Sequence, residues 1–367
     1  MTAFVESCVQ TVAGSAGAVQ RLTRRNPRAA KLLKALANKK KILVTTHLHP
    51  DPDALGSSYA LYTLLTQKLK DAEVHLSVKG EITGGLNAAF TRYTNMSLTP
   101  WDDAALATYD AVVLLDSQPA FAYSPLPPDM VPTAVIDHHP SLGHRLQCAF
   151  CDVRTDVGAT SSIIFNYFME LEMGIDPDLS ATLLYAIETD LAGAARQPAK
   201  LDAIALSSLT LTADMRKLYE MRYVDLPRAY YIAYAQALLS AEVYDNLIVA
   251  HLDRIDSLEK PAVIADFLLR YDQATWCLVT AVNGQKLVMS LRTTDAKQSA
   301  GHRMGRIMRQ LGYGGGHRSK AGGYIDLKSE TPAEIERTRR TVVARLLRCL
   351  KIPASHGQSL VRLKAEE

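Results

Sequence analysis

The residues best suited to chemistry are His47, His49, Asp51 and Asp53, four donors packed into seven positions of the stretch THLHPDPDALGS. Three further groups match them in kind. Asp116 closes the run AVVLLD, Asp137-His138-His139 closes TAVIDHH, and Asp190 ends TLLYAIETD. Imidazole nitrogen with carboxylate oxygen is a ligand set suited to Mn²⁺ and tolerant of Mg²⁺, Zn²⁺ or Co²⁺. No cysteine accompanies it, which disfavours structural zinc. So many carboxylates would repel one another unless a cation neutralised them. One divalent ion cannot use them all, whereas two ions roughly 3.5–4 Å apart can, and such a pair activates water and clamps an in-line displacement at phosphorus.

Each group alone has a plainer reading. Pro and Asp are ordinary turn residues. Asp116 alone suits a loop or a helix cap. Asp190 alone is an acid at a helix C-terminus, where it opposes the helix dipole. Their joint occurrence at strand ends of one domain favours the metal site.

Those strand ends are legible. KILVTTHL is apolar and β-branched, and DALGSSYALYTLLTQKL repeats its apolar positions at three and four residues. EVHLSVKG, DAVVLLDSQ, PTAVIDHHP and CAFCDVR follow as short apolar runs, then helical GATSSIIFNYFMELE and LSATLLYAIETDLAG. Near-continuous apolar strands between helical segments predict an α/β fold, doubly wound on a mainly parallel sheet. In such sheets ligands bind beyond the carboxyl ends of the strands. Residues 196–226 turn polar and irregular, which points to an inter-domain region. Beyond it NLIVAHLD, TWCLVTAV and KLVMSLRTT read as strands, before a helix-like AGHRMGRIMRQLG and the glycine-rich YGGGHRSKAGGYIDL. The expected organisation is a helical extension over 1–38, a first domain over 39–210, and a linking region over 211–235. A second, smaller α/β domain of mixed sheet follows over 236–350, with a frayed tail over 351–367.

Bulk composition narrows the function classes. Hydrophobic residues make up 48% and charged residues 22%, as in a globular protein rather than a disordered one. The net charge of +3, from 41 Lys+Arg against 38 Asp+Glu, lacks the basic excess of a duplex nucleic-acid binder. Five scattered cysteines argue against a disulfide framework and for a reducing compartment. Cys148 and Cys151 have CxxC spacing, but their strand-like surroundings favour buried strand cysteines over zinc or redox chemistry. No secretory leader and no membrane-length apolar segment is expected, so a cytoplasmic location follows.

Taken in order, these motifs resemble the DHH phosphoesterase family in its DHH–DHHA1 arrangement. HLHPDPDALGSS resembles the first motif, Asp116 the second, Asp137-His138-His139 the third and Thr189-Asp190 the fourth. GGGHRSKAGG, from Gly314 to Gly323, resembles the glycine-rich signature of the DHHA1 domain. The resemblance runs from about residue 40 to about residue 330. It implies one metal held by His47, Asp51 and Asp116, and a second by Asp53, Asp116, His138 and Asp190. Asp116 would bridge them, His139 would face the scissile phosphate, and Asp137 would support the site. Arg292, the amides of Gly314, Gly315 and Gly316, and His317 would hold the far end of the substrate. Glycines let backbone N–H groups converge on an anion, and arginine offers a two-pronged phosphate contact.

The implied activity is hydrolysis of phosphodiester or phosphomonoester bonds in short nucleotides, by attack of a metal-bridging hydroxide. Nano-RNA, 3′-phosphoadenosine 5′-phosphate and linear dinucleotides are the implied substrates. The cofactor would be two divalent ions, Mn²⁺ first, with Mg²⁺ or Co²⁺ as alternatives. Neither duplex nucleic acid nor a membrane is an expected partner, and a homodimer is compatible with the resemblance. The competing readings are a RecJ-like single-strand exonuclease, which usually carries a further nucleic-acid-binding module, and a non-catalytic nucleotide sensor, which needs no hydroxide generator. Family II pyrophosphatases share the metal motifs with a different second domain. Two departures stand out: His49 replaces a frequent asparagine, and Leu191-Ala192-Gly193-Ala194 replaces a common Thr-Gly-x-Phe.

Overall fold

The structure, a computed structural model, describes residues 27–80, 82, 85–141, 147–192, 198–316, 318–353 and 357–361. Two compact units make up the chain. The first is drawn from Met1–Ile82, Asn87–Ala192 and Gln197–Val224, and the second from Thr83–Leu86, Gly193–Arg196 and Asp225–Glu367.

In the first unit the order begins α1 (Arg28–Leu36), β1 (Lys41–Thr45), α2 (Pro52–Lys68), β2 (Glu73–Leu76) and α3 (Gly85–Tyr93). After a 3₁₀ turn over Ala104–Thr108 come β3 (Ala111–Leu115), β4 (Ala134–Asp137) and β5 (Phe150–Val153). Then follow α4 (Thr160–Glu170), α5 (Pro177–Leu191), α6 (Lys200–Thr212) and α7 (Met215–Arg222). The five strands form a wholly parallel sheet in the order β2-β1-β3-β4-β5. Side chains alternate between two buried faces, as the apolar runs required. Ile42, Val44, Val113, Leu115 and Ile136 enter the large core beneath α1, α2, α4 and α5. Leu43, Val112 and Leu114 enter a smaller one with Leu106 and Leu126.

The strand order places β1 between β2 and β3, so the chain's winding reverses there. Open α/β sheets gather ligands at that switch point, just beyond the strands' carboxyl ends. His47 and Asp116 stand at those two ends.

α2 starts where Asp51 caps it: its carboxylate accepts from Ala54 N at 3.0 Å, and Pro52 fills the first helical position, where a missing N–H costs nothing. Gly56 sits where α2 meets α5, and a Cβ there would lie 2.8 Å from Ala186 Cβ.

Two expectations need correction here. The stretch read as irregular, residues 196–226, is largely helical in α6 and α7. Its apolar positions are well placed: Leu201, Ile204, Ala205, Leu209, Leu218 and Met221 all enter the main core. Asp214, whose side chain accepts from Arg216 N and Lys217 N, starts α7. Second, Cys148 and Cys151 are joined by a disulfide rather than standing as separate buried strand cysteines. In a regular strand, residues three apart point to opposite faces. Cys148 precedes β5, and the bend between them lets the two sulfurs meet.

The second unit continues with α8 (Arg228–Ser240), β6 (Glu242–Tyr244), β7 (Leu247–Arg254), α9 (Lys260–Leu268), β8 (Trp276–Asn283) and β9 (Lys286–Thr293). It closes with α10 (Ala300–Met308), β10 (Tyr313–Gly316), β11 (Lys320–Asp326), α11 (Pro332–Leu350) and β12 (Gln358–Ser359). Its seven-stranded sheet runs β10-β11-β9-β8-β7-β6-β12 and is mixed, with β7 and β8 the parallel pair. Alternate residues feed two cores, Val249, Leu278 and Leu291 against α10 and α11, and Ile248, Cys277 and Val279 against α8 and α9. Within the segment expected as a tail, Gln358–Ser359 pairs with β6. Of the expected extension, Arg28–Leu36 is a helix with Ala29, Leu32 and Leu36 buried, while residues 1–26 lie outside the described ones.

Candidate metal centre

Asp116 is the hub of the first unit's polar cluster. It follows β3 directly and is nearly fully buried, at 3% exposure. Its φ of 50° is left-handed, a conformation costly for most side chains and tolerated by Asp. Strain of this kind persists where the surroundings hold it. Here Asp116 N donates to Ile136 O at 2.9 Å, and Thr160 Oγ1 donates to Asp116 Oδ1 at 2.8 Å.

Three histidines surround it. His47 Nε2 lies 3.5 Å from Asp116 Oδ2, His138 Nε2 lies 3.4 Å from Oδ1, and His139 Nδ1 lies 3.7 Å from Oδ1. His138 Nε2 is also 3.5 Å from Asp190 Oδ2, on the last turn of α5. His47 Nδ1 donates to Leu48 O at 2.8 Å, so the ring presents Nε2 to the cluster. Such outer hydrogen bonds fix the tautomer of a ligating imidazole.

Asp53 enters from the first turn of α2 and is buried at 1% exposure. Both its oxygens are engaged by the start of α4: Thr160 N donates to Oδ2 at 2.7 Å and Ser161 N to Oδ1 at 2.8 Å. Unpaired amides at a helix N-terminus favour an anion there. Asp137, the last residue of β4, accepts from His139 Nδ1 at 2.6 Å through Oδ1, and from Gln118 Nε2 at 2.7 Å through Oδ2.

The electrostatics express crowding. Burial first, then the charges of Asp116, Asp190 and Asp51, push Asp53 well above the usual carboxylate range. Asp51, though exposed as a residue, is raised in the same way by desolvation, Asp116 and Asp190. Burial also opposes ionisation of Asp116, but the His47 hydrogen bond and the charges of His139 and His138 outweigh it and hold Asp116 far down. Burial would lower the three histidines, yet all are raised. Asp116 outweighs it at His47, Asp190 with Asp116 at His138, and the Asp137 hydrogen bond with Asp116 at His139.

Among the described residues, three overlapping donor groups arise: His47 with Asp51 and Asp116, Asp53 with His138 and Asp190, and Asp116 with His138 and His139. Within each, the donor atoms lie within 4.8 Å of one another. Nitrogen and carboxylate donors at this density fit divalent cations of intermediate hardness. A cation would also relieve the repulsion that raises Asp51 and Asp53.

The structure thus brings together His47, Asp51, Asp53, Asp116, Asp137, His138, His139 and Asp190. His49 is exposed with a φ of 55°. Asparagine is among the residues that best tolerate that left-handed backbone, and histidine is also enriched there. Leu191 ends α5, while Ala194 lies outside the described residues.

Arg292 and Gly314–Gly316 belong to the second unit. Arg292, on β9, is buried at 9% exposure, and its Nε donates to Asp266 Oδ1 at 2.7 Å. Gly314–Gly316 form the edge strand β10 rather than a loop, with Gly316 at a φ of 145° and Gly314 too close to Met304 and Met308 for any Cβ. An edge strand leaves backbone groups on one side unpaired by the sheet. His317 lies outside the described residues.

Sequence reasoning missed Gln118, Thr160 and Ser161. The run GATSS after β5 carries a helix-start signal that would have flagged the latter two. Gln118 offers none.

Residues 41–187 match the family model described as DHH family, N-terminal domain. Over 302 residues the chain is 29% identical to an uncharacterized protein of Methanocaldococcus jannaschii, covering 82% of this chain and 61% of that protein. Over 151 residues it is 28% identical to a probable manganese-dependent inorganic pyrophosphatase of Lactobacillus gasseri, covering 41% and 47%. The chain therefore spans about three-fifths and about half of the lengths of these two relatives. Among solved structures, an exopolyphosphatase-related protein from Bacteroides fragilis superposes with a TM-score of 0.66 at 18% identity, covering 88% of this chain and 97% of that one. RecJ from Thermus thermophilus in complex with Mn²⁺ gives 0.51 at 14% identity, covering 89% and 54%. At these identities the likeness is one of fold. Residues 41–187 form a DHH-family N-terminal domain.

Proposed function

We propose that this protein is a two-metal phosphoesterase acting on short nucleotides, such as nano-RNA, 3′-phosphoadenosine 5′-phosphate or linear dinucleotides. The observation that supports the reading is that Asp116 groups with His47 and Asp51 and also with His138 and His139, while His138 groups in turn with Asp53 and Asp190. On this reading His47, Asp51 and Asp116 hold one ion, and Asp53, Asp116, His138 and Asp190 the other. Divalent ions bound there supply Lewis acidity and a water of lowered pKa. The relatives named as a manganese-dependent pyrophosphatase and as RecJ with Mn²⁺ support Mn²⁺ as the first choice.

The chain's own residues do the rest. His139, braced by Asp137, would stabilise charge as it develops on phosphate oxygens. Asp137 keeps that ring oriented, and Gln118 keeps Asp137 in place. In the second unit Arg292, with Nε on Asp266 and Nη1 on Leu291 O, keeps Nη2 for an anion, and the unpaired side of β10 offers amides of the same kind.

The test is an activity panel with Mn²⁺ over di- to penta-nucleotides, 3′-phosphoadenosine 5′-phosphate, inorganic pyrophosphate and long single strands. Turnover of the short nucleotides is expected. Preference for pyrophosphate would transfer the reading to the activity named for the Lactobacillus relative, and preference for long strands would favour an exonuclease. No turnover across metals and substrates would leave a nucleotide-binding module.

A further inference from the structure

Beside the cluster stand two aromatic rings that the metal chemistry leaves unused. Phe121 and Tyr123 lie in the turn after β3. The Phe121 ring is buried and meets the His139 ring edge-on, with centroids 5.9 Å apart. The Tyr123 ring meets His47 edge-on at 5.5 Å, and the two rings lie 5.2 Å from each other. Tyr123 nonetheless remains 39% exposed.

The turn is pinned. Phe121 N donates to Gln118 O at 3.0 Å, Ser124 N to Phe121 O at 3.0 Å, and Leu48 N to Tyr123 O at 2.8 Å. The last bond ties the aromatic turn to the loop that carries His47 and Asp51. Tyr123 is therefore a large, half-exposed ring held in fixed register with His47 directly and with His139 through Phe121.

A π face carries negative potential and gives nothing to phosphate, so such a ridge does not serve an inorganic substrate. It suits a flat heterocycle. In a nucleotide, base and phosphate are separated by one sugar, and here the ring and the donor cluster are separated by one ring contact.

We propose that Tyr123, backed by Phe121, seats the nucleobase next to the scissile phosphate and makes the site selective for nucleoside phosphoesters. This rests on reading the Asp116 cluster as a phosphoesterase centre. Stacking on an aromatic side chain tolerates any base and changes affinity on the order of 10- to 100-fold.

The experiment compares wild type, Tyr123→Ala, Tyr123→Leu and Tyr123→Phe on a dinucleotide and on its abasic counterpart, with Mn²⁺. Calorimetric binding of the dinucleotide in Ca²⁺ is measured in parallel. Wild type should prefer the dinucleotide. Alanine and leucine should raise its KM and Kd about 10- to 100-fold while leaving the abasic KM in place, and phenylalanine should rescue both. If alanine keeps the preference, or if phenylalanine loses as much as alanine, the base seat is wrong; the second outcome would assign the hydroxyl to a phosphate contact. Hydrolysis of the dinucleotide by wild type with no dependence on Tyr123 overturns the seat alone. No hydrolysis of either substrate by wild type overturns the phosphoesterase reading and the seat with it.

Discussion

Asp137 Oδ1 and His139 Nδ1 are 2.6 Å apart, and the other Asp137 oxygen is held by Gln118. The carboxylate therefore sets both the orientation and the tautomer of the histidine. Asp137→Asn keeps the shape and can offer an N–H where an acceptor is needed. On the proposed function it should lower kcat by roughly 10²-fold or more, with KM little changed. Steady-state kinetics on a short nucleotide check this. A change confined to KM would show that Asp137 acts on binding instead.

Asp116 couples a charge to a left-handed backbone. Asp116→Asn keeps a side chain that tolerates φ of 50° but removes the anion shared between the donor groups. It should fold and lose most bound Mn²⁺. Asp116→Ala should lose the metal as well, and about 1 kcal/mol more stability than the asparagine variant. Metal content by atomic emission, with urea unfolding of the metal-free proteins, separates the two effects.

Acidity should act on the metal-free protein with a definite sign. His47, His138 and His139 are raised in the folded state, so the folded protein holds protons that the unfolded chain releases. Their stabilisation is complete below the unfolded histidine value of about 6.5 and is lost as pH rises through the raised values. Asp53, also raised, adds the same trend. The metal-free Tm should fall as pH rises above about 6.5. Added Mn²⁺ competes with those protons, so its stabilisation should grow over the same interval. A thermal melt series with and without chelator reads both. A metal-free Tm that climbs with pH would contradict the arrangement.

Gly56 keeps α2 close against α5, which carries Asp190. Gly56→Ala places a methyl 2.8 Å from Ala186 Cβ and must push the helices apart. Overpacking of this kind costs about 1–3 kcal/mol. Because Asp53 and Asp190 ride on the two helices, Mn²⁺ affinity should fall along with stability. Calorimetric titration with Mn²⁺ tests the link; a stability loss with unchanged affinity would confine Gly56 to packing.

Much of the architecture was legible because burial on both faces leaves a plain mark. Ile42, Leu43 and Val44 are apolar without alternation, as a covered parallel strand demands. The donor residues were legible for a related reason: aspartate and histidine are out of place at the ends of such strands. The supporting residues were not. Thr160 and Ser161 act on Asp53 through backbone N–H groups, which every residue but proline carries. Gln118, Phe121 and Tyr123 depend on a turn whose path no periodicity announces. Cys148 and Cys151 pair because the chain bends before β5. In α7 the charged residues of MRKLYEMR hid a helix whose Leu218 and Met221 are buried.

Thr160 also touches two carboxylates at once, Asp53 through its backbone N–H and Asp116 through its hydroxyl. The separation of those two acids is thereby measured off by the bonds of one amino acid. It does not depend on agreement between the distant loops that deliver them. Small shifts of sheet and helices leave this short ruler its length. Thr160→Val, which removes the oxygen and spares the amide, would leave Asp53 on its mark and let Asp116 slip from the scale.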